Sequence, residues 1–161
     1  MPFAAFNAPP LGLTQLKAVL ESQFENRVSV EILFLNQDFA RHMGIDTTQF
    51  IEISAQAQNS GLGEWFFRQS AFPDSPDNSR VYFQRYYPLQ NEQTLALKRT
   101  ILEKREGINE FLDRLIDSYK IDEADLVGFT SMFTQNAASF ALARKLKARN
   151  ADIVVVMGGT N

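Results

Sequence analysis

Polar residues and glycines follow two short apolar runs near the end of the chain. Thr130, Ser131 and Met132 follow the first run, and Gly158 and Gly159 follow the second. If both runs are parallel strands, these residues meet at the carboxyl edge of the sheet, where α/β proteins bind ligands. Glycines let a ligand approach backbone amides, and hydroxyls can donate to it. The alternative roles are structural: Gly-Gly turns the chain, and a hydroxyl caps the next helix.

Three other features combine residue types that take part in binding. Asn136 lies in the first turn of a predicted helix, where amides and the helix dipole favour an acceptor group. Residues 63–67 place three aromatic rings beside Glu64, as in a stacking wall for a planar ligand or around an acid with a raised pKa. Packing on the core is the commoner role of such rings. Residues 82–87 surround Arg85 with aromatic rings and predict packing or a partner surface.

The chain has no cysteine and one histidine, His42. The lack of cysteine excludes disulfides, thiolate metal sites, a cysteine nucleophile and an iron–sulfur cluster held by this chain's own ligands. His42 follows Arg41 in a short predicted helix that Gly44 closes. We therefore predict an exposed histidine at a helix end, and neither a catalytic residue nor a metal ligand in this chain.

Length and charge limit the classes of function. The chain has 161 residues, with 16 Lys and Arg against 19 Asp and Glu, and a formal charge of -3. This length predicts one domain. No basic region exists to attract nucleic acid or an anionic membrane surface, and no apolar stretch is long enough to span a bilayer. We expect a cytoplasmic protein with neither nucleic acid nor membrane as a partner.

Apolar residues recur at helical spacing through most of the chain. The pattern predicts helices over residues 11–23, 36–43, 50–57, 64–72, 93–119 and 135–149. Gly44 closes the second of these helices, and Gly107 is a candidate interruption of the fifth. Residues 46–92 form an insertion of helices and loops within a single domain that spans residues 1–161.

Three runs are typical of buried parallel strands: residues 28–35, 126–131 and 153–157. The last two enclose the helix over residues 135–149, which predicts a strand–helix–strand crossover. The predicted fold class is α/β, with a Rossmann-like partial parallel sheet flanked by helices. An incomplete sheet exposes strand edges, so we also expect dimerisation or docking to a partner.

Two segments resemble a known family. Residues 127–144, beginning Val-Gly-Phe-Thr-Ser-Met-Phe-Thr-Gln-Asn, and residues 158–161, Gly-Gly-Thr-Asn, resemble the cobalamin-binding region of radical SAM C-methyltransferases that mature ribosomally synthesised peptides. Residues 1–20, 33–44 and 63–67 look similar to the same family. In the wider cobalamin-binding fold, a Ser-x-Leu turn and a Gly-Gly turn approach the corrin and its nucleotide tail. By resemblance these turns fall on Thr130-x-Met132 and Gly158-Gly159.

The resemblance implies a set of residues that bind cobalamin. That set is Pro9, Gly12, Thr130, Ser131, Met132, Phe133, Asn136, Gly158, Gly159, Thr160 and Asn161. Many cobalamin proteins carry an Asp-x-His-x-x-Gly motif in the loop that corresponds to residues 2–12. This chain has no histidine there, so no imidazole ligand to cobalt is expected. The family's first strand, its later strands and its three-cysteine barrel, which holds an iron–sulfur cluster and S-adenosylmethionine, are missing, as in a fragment, a truncated reading frame or a split subunit.

The expected function is therefore cobalamin binding as part of a radical SAM methyltransferase in peptide maturation, without catalysis by this chain alone. Its expected partners are cobalamin, a radical SAM subunit and a precursor peptide. One alternative is an interaction module or degenerate remnant that docks on a radical SAM partner through the aromatic rings of residues 63–87. An ordinary nucleotide-binding α/β protein is a weaker alternative, because no Gly-x-Gly-x-x-Gly or Walker loop follows any predicted strand.

Overall fold

The computed structural model describes residues 2–3, 10–25 and 27–159. The described chain is α/β and mostly helical, with one small parallel sheet. In chain order the elements are α1 Leu11–Gln23, α2 Leu35–Met43, α3 Thr47–Ser60, α4 Leu62–Ala71, α5 Ser79–Tyr86, α6 Glu92–Glu106, α7 Ile108–Tyr119, a 3-10 turn Ile121–Glu123, β1 Leu126–Ser131, α8 Asn136–Arg149 and β2 Val154–Gly159.

The sheet consists of β1 and β2, which pair in parallel from Leu126 opposite Val154 to Ser131 opposite Gly159. Helix α8 connects the two strands, as a parallel pair requires. The predicted strand–helix–strand unit is therefore confirmed, with each element within two residues of its predicted bounds.

The two faces of this sheet have different surroundings. Val127, Phe129 and Val155 are partly buried and pack against the hydrophobic core. The opposite face, which we call the outer face, carries Leu126 and Val154 at about half exposure, together with Val156, Gly128, Thr130 and Gly158. Parallel sheets are normally covered on both faces, so the outer face is unusual.

The strand predicted over residues 28–35 is wrong. Residues 28–34 form no regular structure, and α2 begins at Leu35. A strand needs a neighbouring strand to bond its backbone, and here side chains of α1 take that place. Lys17 Nζ donates to the Val30 carbonyl, and the Val30 amide donates to Glu21 Oε1 at 3.4 Å.

The core lies among the helices that follow α1. It centres on aromatic rings that contact one another, including Phe39 with Phe66 at 5.3 Å and with Phe67 at 5.5 Å between ring centroids. Phe50 in α3 and Leu142 in α8 belong to the same buried cluster. The predicted insertion over residues 46–92 is thus helical and shares one core with the rest of the described chain.

The longest predicted helix is two helices. Gly107 separates α6 from α7, as the candidate interruption indicated. Gly44 ends α2 in the left-handed conformation, with φ of 66°, which is the usual role of a glycine after a helix. Helix α1 has the predicted bounds but buries none of its side chains.

Candidate functional site

The strand ends meet at one edge of the sheet, as the sequence predicted. Thr130 lies opposite Gly158, and Ser131 lies opposite Gly159. Thr130 and Gly158 are exposed on the outer face, whereas Ser131 is buried. This carboxyl edge, defined by these four residues, is the place where ligands bind to open parallel sheets.

The two glycines at this edge have different reasons to lack a side chain. Gly159 has φ of 145°, and a Cβ there would lie 1.8 Å from the Ser131 carbonyl oxygen. Strand pairing therefore requires glycine at this position, which is the structural role. A Cβ at Gly158 would have no neighbour within 4 Å, so only Gly158 leaves open space for a ligand.

The turn after β1 exposes two large side chains. Met132 is 46% exposed and Phe133 is 60% exposed. The Met132 amide donates to Gln135 Oε1 at 3.2 Å, and the Ser131 hydroxyl bonds to Asn136 Oδ1. Phe133 has φ of 54°, a strained conformation for a residue with a side chain. The turn is thus held by local hydrogen bonds while its apolar side chains face outward.

Glu64 caps the amino end of α8, a role that sequence reasoning missed. Its two carboxylate oxygens accept hydrogen bonds from the Asn136 and Ala137 amides, both at 2.8 Å. The amides of residues 136 and 137 are thus bonded to Glu64, and not to Thr130 or Ser131, for which a capping role was the predicted alternative. The reason is that α4 packs against α8 and places a carboxylate on the amides, where the helix dipole favours negative charge.

The close approach of α4 depends on Gly63. A Cβ there would lie 2.4 Å from the Thr134 carbonyl oxygen and 2.9 Å from Pro2 Cγ. The Gly-Glu pair at residues 63 and 64 therefore brings the α4 backbone to the turn after β1 and the carboxylate to α8. The sequence indicated this segment through its aromatic rings beside Glu64 and through the resemblance of residues 63–67, but neither signal predicted the cap.

This cap changes the role expected of Asn136. We predicted that the amides in the first turn of α8 would bind an acceptor group. That acceptor is the Glu64 carboxylate, because its oxygens accept hydrogen bonds from the amides of residues 136 and 137. A phosphate of an external ligand would have to displace that carboxylate. Asn136 instead bonds through its side chain to Ser131, which joins the helix end to the carboxyl edge.

The aromatic segment 63–67 packs in the core. Phe66 and Phe67 are fully buried, and both faces of Trp65 are covered. The Tyr82 ring stacks on one face at 4.7 Å, and the Arg105 guanidinium lies 4.0 Å from the ring centroid. The proposed stacking wall is therefore wrong and the packing role is confirmed. The Glu64 carboxylate contacts the α8 amides and does not lie in an apolar pocket.

His42 is half-buried and not the exposed residue that we predicted. Its ring stacks on Phe111 at 4.6 Å, and Nε2 lies 3.0 Å from the Lys104 carbonyl oxygen, which can only accept a hydrogen bond. The break between α6 and α7 leaves that carbonyl near the end of α6 available. Burial lowers the pKa of His42, and the nearby cations Lys104 and Arg114 lower it further. These contacts give His42 a structural role.

Four predicted cobalamin residues remain, of which one lies in α1 and three lie outside the described residues. Gly12 is in the first turn of α1, where a Cβ would have no neighbour within 4 Å. Pro9, Thr160 and Asn161 lie outside the described residues. The structure thus brings together Thr130, Ser131, Met132, Phe133, Asn136, Gly158 and Gly159.

Comparisons with known proteins add no family. No protein-family model, curated protein or solved structure matches the chain. Within residues 2–3, 10–25 and 27–159, no helix is long and apolar enough to cross a membrane. The same residues contain no cluster of three His, Cys, Asp or Glu side chains that could hold a metal ion.

Proposed function

We propose that this chain is a cobalamin-binding domain, or a fragment of one, from a radical SAM methyltransferase that matures ribosomally synthesised peptides. The observation that carries the proposal is the pairing of Thr130 with Gly158 at the exposed carboxyl edge of two parallel strands. The resemblance of residues 127–144 and 158–161 to the cobalamin-binding region supports it. A Rossmann-like sheet of the cobalamin-binding type is part of the same proposal.

The side chains at the edge suit one side of a broad ring that carries amide groups. Thr130 offers an exposed hydroxyl that both donates and accepts, and Gly158 leaves its backbone open to close approach. Met132 and Phe133 add exposed apolar surface beside them. When bound, cobalamin supplies the methyl-transfer chemistry, and the residues of this chain hold and orient its edge.

Other parts of the reaction require groups that this chain lacks. An iron–sulfur cluster needs thiolate ligands, and the chain has no cysteine. A radical SAM subunit or barrel domain would therefore hold the cluster and S-adenosylmethionine, and it would also bind the precursor peptide. The α8 amides are bonded to Glu64, so we do not assign the nucleotide tail to them.

Titration with hydroxocobalamin tests the proposal. Purified protein is mixed with the corrin, and its visible spectrum is followed through gel filtration. We expect retention near one corrin per chain. Gly158→Phe fills the open space at the edge and should weaken binding at least tenfold, whereas Gly159→Phe would break strand pairing and is uninformative. Thr130→Tyr should also weaken binding.

Val154→Phe is the matched control, since it adds similar bulk to the same outer face at the other end of the strand. Circular dichroism spectra identical to the parent would show that each variant folds. Colourless protein after gel filtration, or equal binding by the Gly158 and Val154 variants, would refute the cobalamin site at this edge.

A second candidate function is an interaction module, which the outer face of the sheet favours. Residues 63–87 are not the docking surface that we expected, because most of their aromatic rings are buried. The outer face instead exposes Leu126, Val154 and Val156 beside strand edges that have no partner within the described residues. Sedimentation velocity of the parent and of Val156→Lys tests it: self-association that the charge abolishes would support this function.

A further inference from the structure

Helix α1 carries an apolar stripe that its own chain leaves partly exposed. The stripe consists of Leu13, Leu16, Val19 and Leu20, which recur every three or four residues and therefore lie along one side of the helix. None of the side chains of α1 is buried, and Leu16 and Val19 are 54% and 50% exposed. A helix of 13 residues is marginally stable in water unless its apolar side packs on another surface. The stripe therefore suits a surface that the single chain does not bring to it.

The outer face of the sheet has the dimensions that such a helix would cover. Each strand has 6 residues and is about 20 Å long, and neighbouring strands lie about 4.8 Å apart. Helix α1 is also about 20 Å long and, with its side chains, about 10 Å wide. One helix of this size therefore covers two strands along their length. Leu126 and Val154 stay about half exposed on this face, although parallel sheets are normally covered on both faces.

Neither surface brings an unpaired charge to the contact. Strands β1 and β2 contain no titratable side chain. The two charged residues of α1, Lys17 and Glu21, pair with each other at 3.2 Å, so a contact with the stripe buries no lone charge. The same two side chains bond the Val30 backbone and attach α1 to the segment that follows it. In that position the stripe and the outer face of one chain are exposed at the same time, so a second molecule has to cover each of them.

We propose that the stripe of α1 covers the outer face of a second copy of this chain, and that two copies exchange this contact across a twofold axis. Each copy gives one helix and receives one, so the assembly closes as a dimer. This inference rests on the second candidate function and names what lies on the outer face. The two contacts together bury about 800 Å², below the roughly 1,200 Å² of stable complexes, so the dimer is reversible, with a dissociation constant on the order of 100 μM.

Lysine variants on opposite sides of α1 test the contact. Leu16→Lys places a cation on the stripe, and Ala18→Lys places the same cation on the opposite side, because two residues turn a helix by about 200°. Neither change disturbs a buried side chain. In sedimentation velocity without cobalamin, the parent should form dimers as its concentration rises. Leu16→Lys should weaken dimerisation at least about tenfold, and Ala18→Lys should change it less than about twofold.

The outcomes separate this inference from the function on which it rests. Equal dimerisation of the two α1 variants would overturn the contact with α1. If Val156→Lys still abolished dimerisation in that case, the outer face would remain an interaction surface with a different occupant. A parent that stays monomeric at every concentration would overturn both the contact and self-association through the outer face.

Crosslinking distinguishes a second copy from the same chain. The chain has no cysteine, so introduced cysteines are the only thiols that react. Leu16→Cys is mixed with ¹⁵N-labelled Val156→Cys and treated with a short bismaleimide, and mass spectrometry identifies the mixed dimer. Ala18→Cys replaces Leu16→Cys in the matched control and should give at least about fivefold less of that product, since its side chain lies on the opposite side of α1. Equal yields would overturn the proposal. A chain that carries both Leu16→Cys and Val156→Cys should stay uncrosslinked at high dilution, and an internal crosslink there would show that α1 covers its own sheet and would overturn the proposal.

Discussion

The contact between α4 and α8 and the outer face of the sheet differ in how their side chains are used. At the helix contact, Gly63 permits backbone approach, Glu64 bonds two amides, and Phe66 is fully buried. On the outer face, Val154 and Val156 are about half exposed although they are as apolar as core residues. Side chains at the helix contact stabilise the fold, whereas those on the outer face are available to a ligand or a partner.

The largest difference between the two regions should appear on side-chain truncation. Phe66→Ala removes a fully buried ring and should lower the free energy of unfolding by about 4 kcal/mol. Val156→Ala on the outer face should lower it by less than about 0.5 kcal/mol, because the side chain is 47% exposed. Urea denaturation followed by circular dichroism measures both. Similar losses for the two variants would mean that the outer face is covered in solution.

The next largest difference in stability between the two regions should come from a single added methyl group. Gly63→Ala places Cβ 2.4 Å from the Thr134 carbonyl, which is backbone and cannot move aside easily, so we expect a loss of about 3 kcal/mol. Gly158→Ala adds the same group in open space and should change stability by less than about 0.5 kcal/mol. Thermal unfolding of both variants measures the difference. A tolerant Gly63 would contradict the close approach of α4.

The sequence predicts those elements whose bounds depend on a local pattern of residues. The bounds of α1 were correct, and β1, α8 and β2 differed from prediction by at most two residues, because apolar spacing and nearby glycines determine them. Residues 28–35 have the composition of a buried strand, yet among the residues that the structure describes no strand lies beside them to bond their backbone. Composition indicates that a segment can be a strand, and the presence of a partner decides whether it is one.

The candidate site likewise contains one arrangement that the sequence predicted and others that it did not. The meeting of Thr130 with Gly158 followed from the order of the elements, since parallel strands joined by a helix end at one edge. The cap of α8 by Glu64 joins residues 72 positions apart, and the sandwich of Trp65 joins three separate helices. No local pattern in one sequence encodes such contacts, so the sequence predicted the wrong caps and a ligand-facing role for a ring that packs.

Removal of the α8 cap should have a smaller effect than the changes in the core. Glu64→Ala leaves the Asn136 and Ala137 amides without their acceptor, and we expect a loss of about 1–2 kcal/mol. Glu52→Ala on α3 removes an exposed carboxylate and should change stability by less than about 0.5 kcal/mol. Chemical denaturation measures both. Glu64→Ala should also free the Asn136 and Ala137 amides. An anion should therefore bind at the amino end of α8 more tightly in this variant than in the parent.

The smallest expected effect is a pH dependence of stability at His42 in α2, to which β1 and β2 cannot contribute because they contain no titratable side chain. Burial lowers the pKa of folded His42 below its ordinary value of 6.5, so the unfolded chain binds the proton more readily. Stability that is fully present above pH 6.5 is therefore lost as the pH falls toward the lowered pKa. His42→Gln cannot titrate but can still donate to the Lys104 carbonyl, so its melting temperature should fall less than that of the parent between about pH 8 and pH 5. The carboxylate of Asp113, whose pKa is lowered by Lys145 and Arg149, titrates in a more acidic range and does not interfere. Parallel curves for parent and variant would mean that His42 is as accessible to protons in the folded chain as in the unfolded one, and that its stacking on Phe111 does not persist in solution.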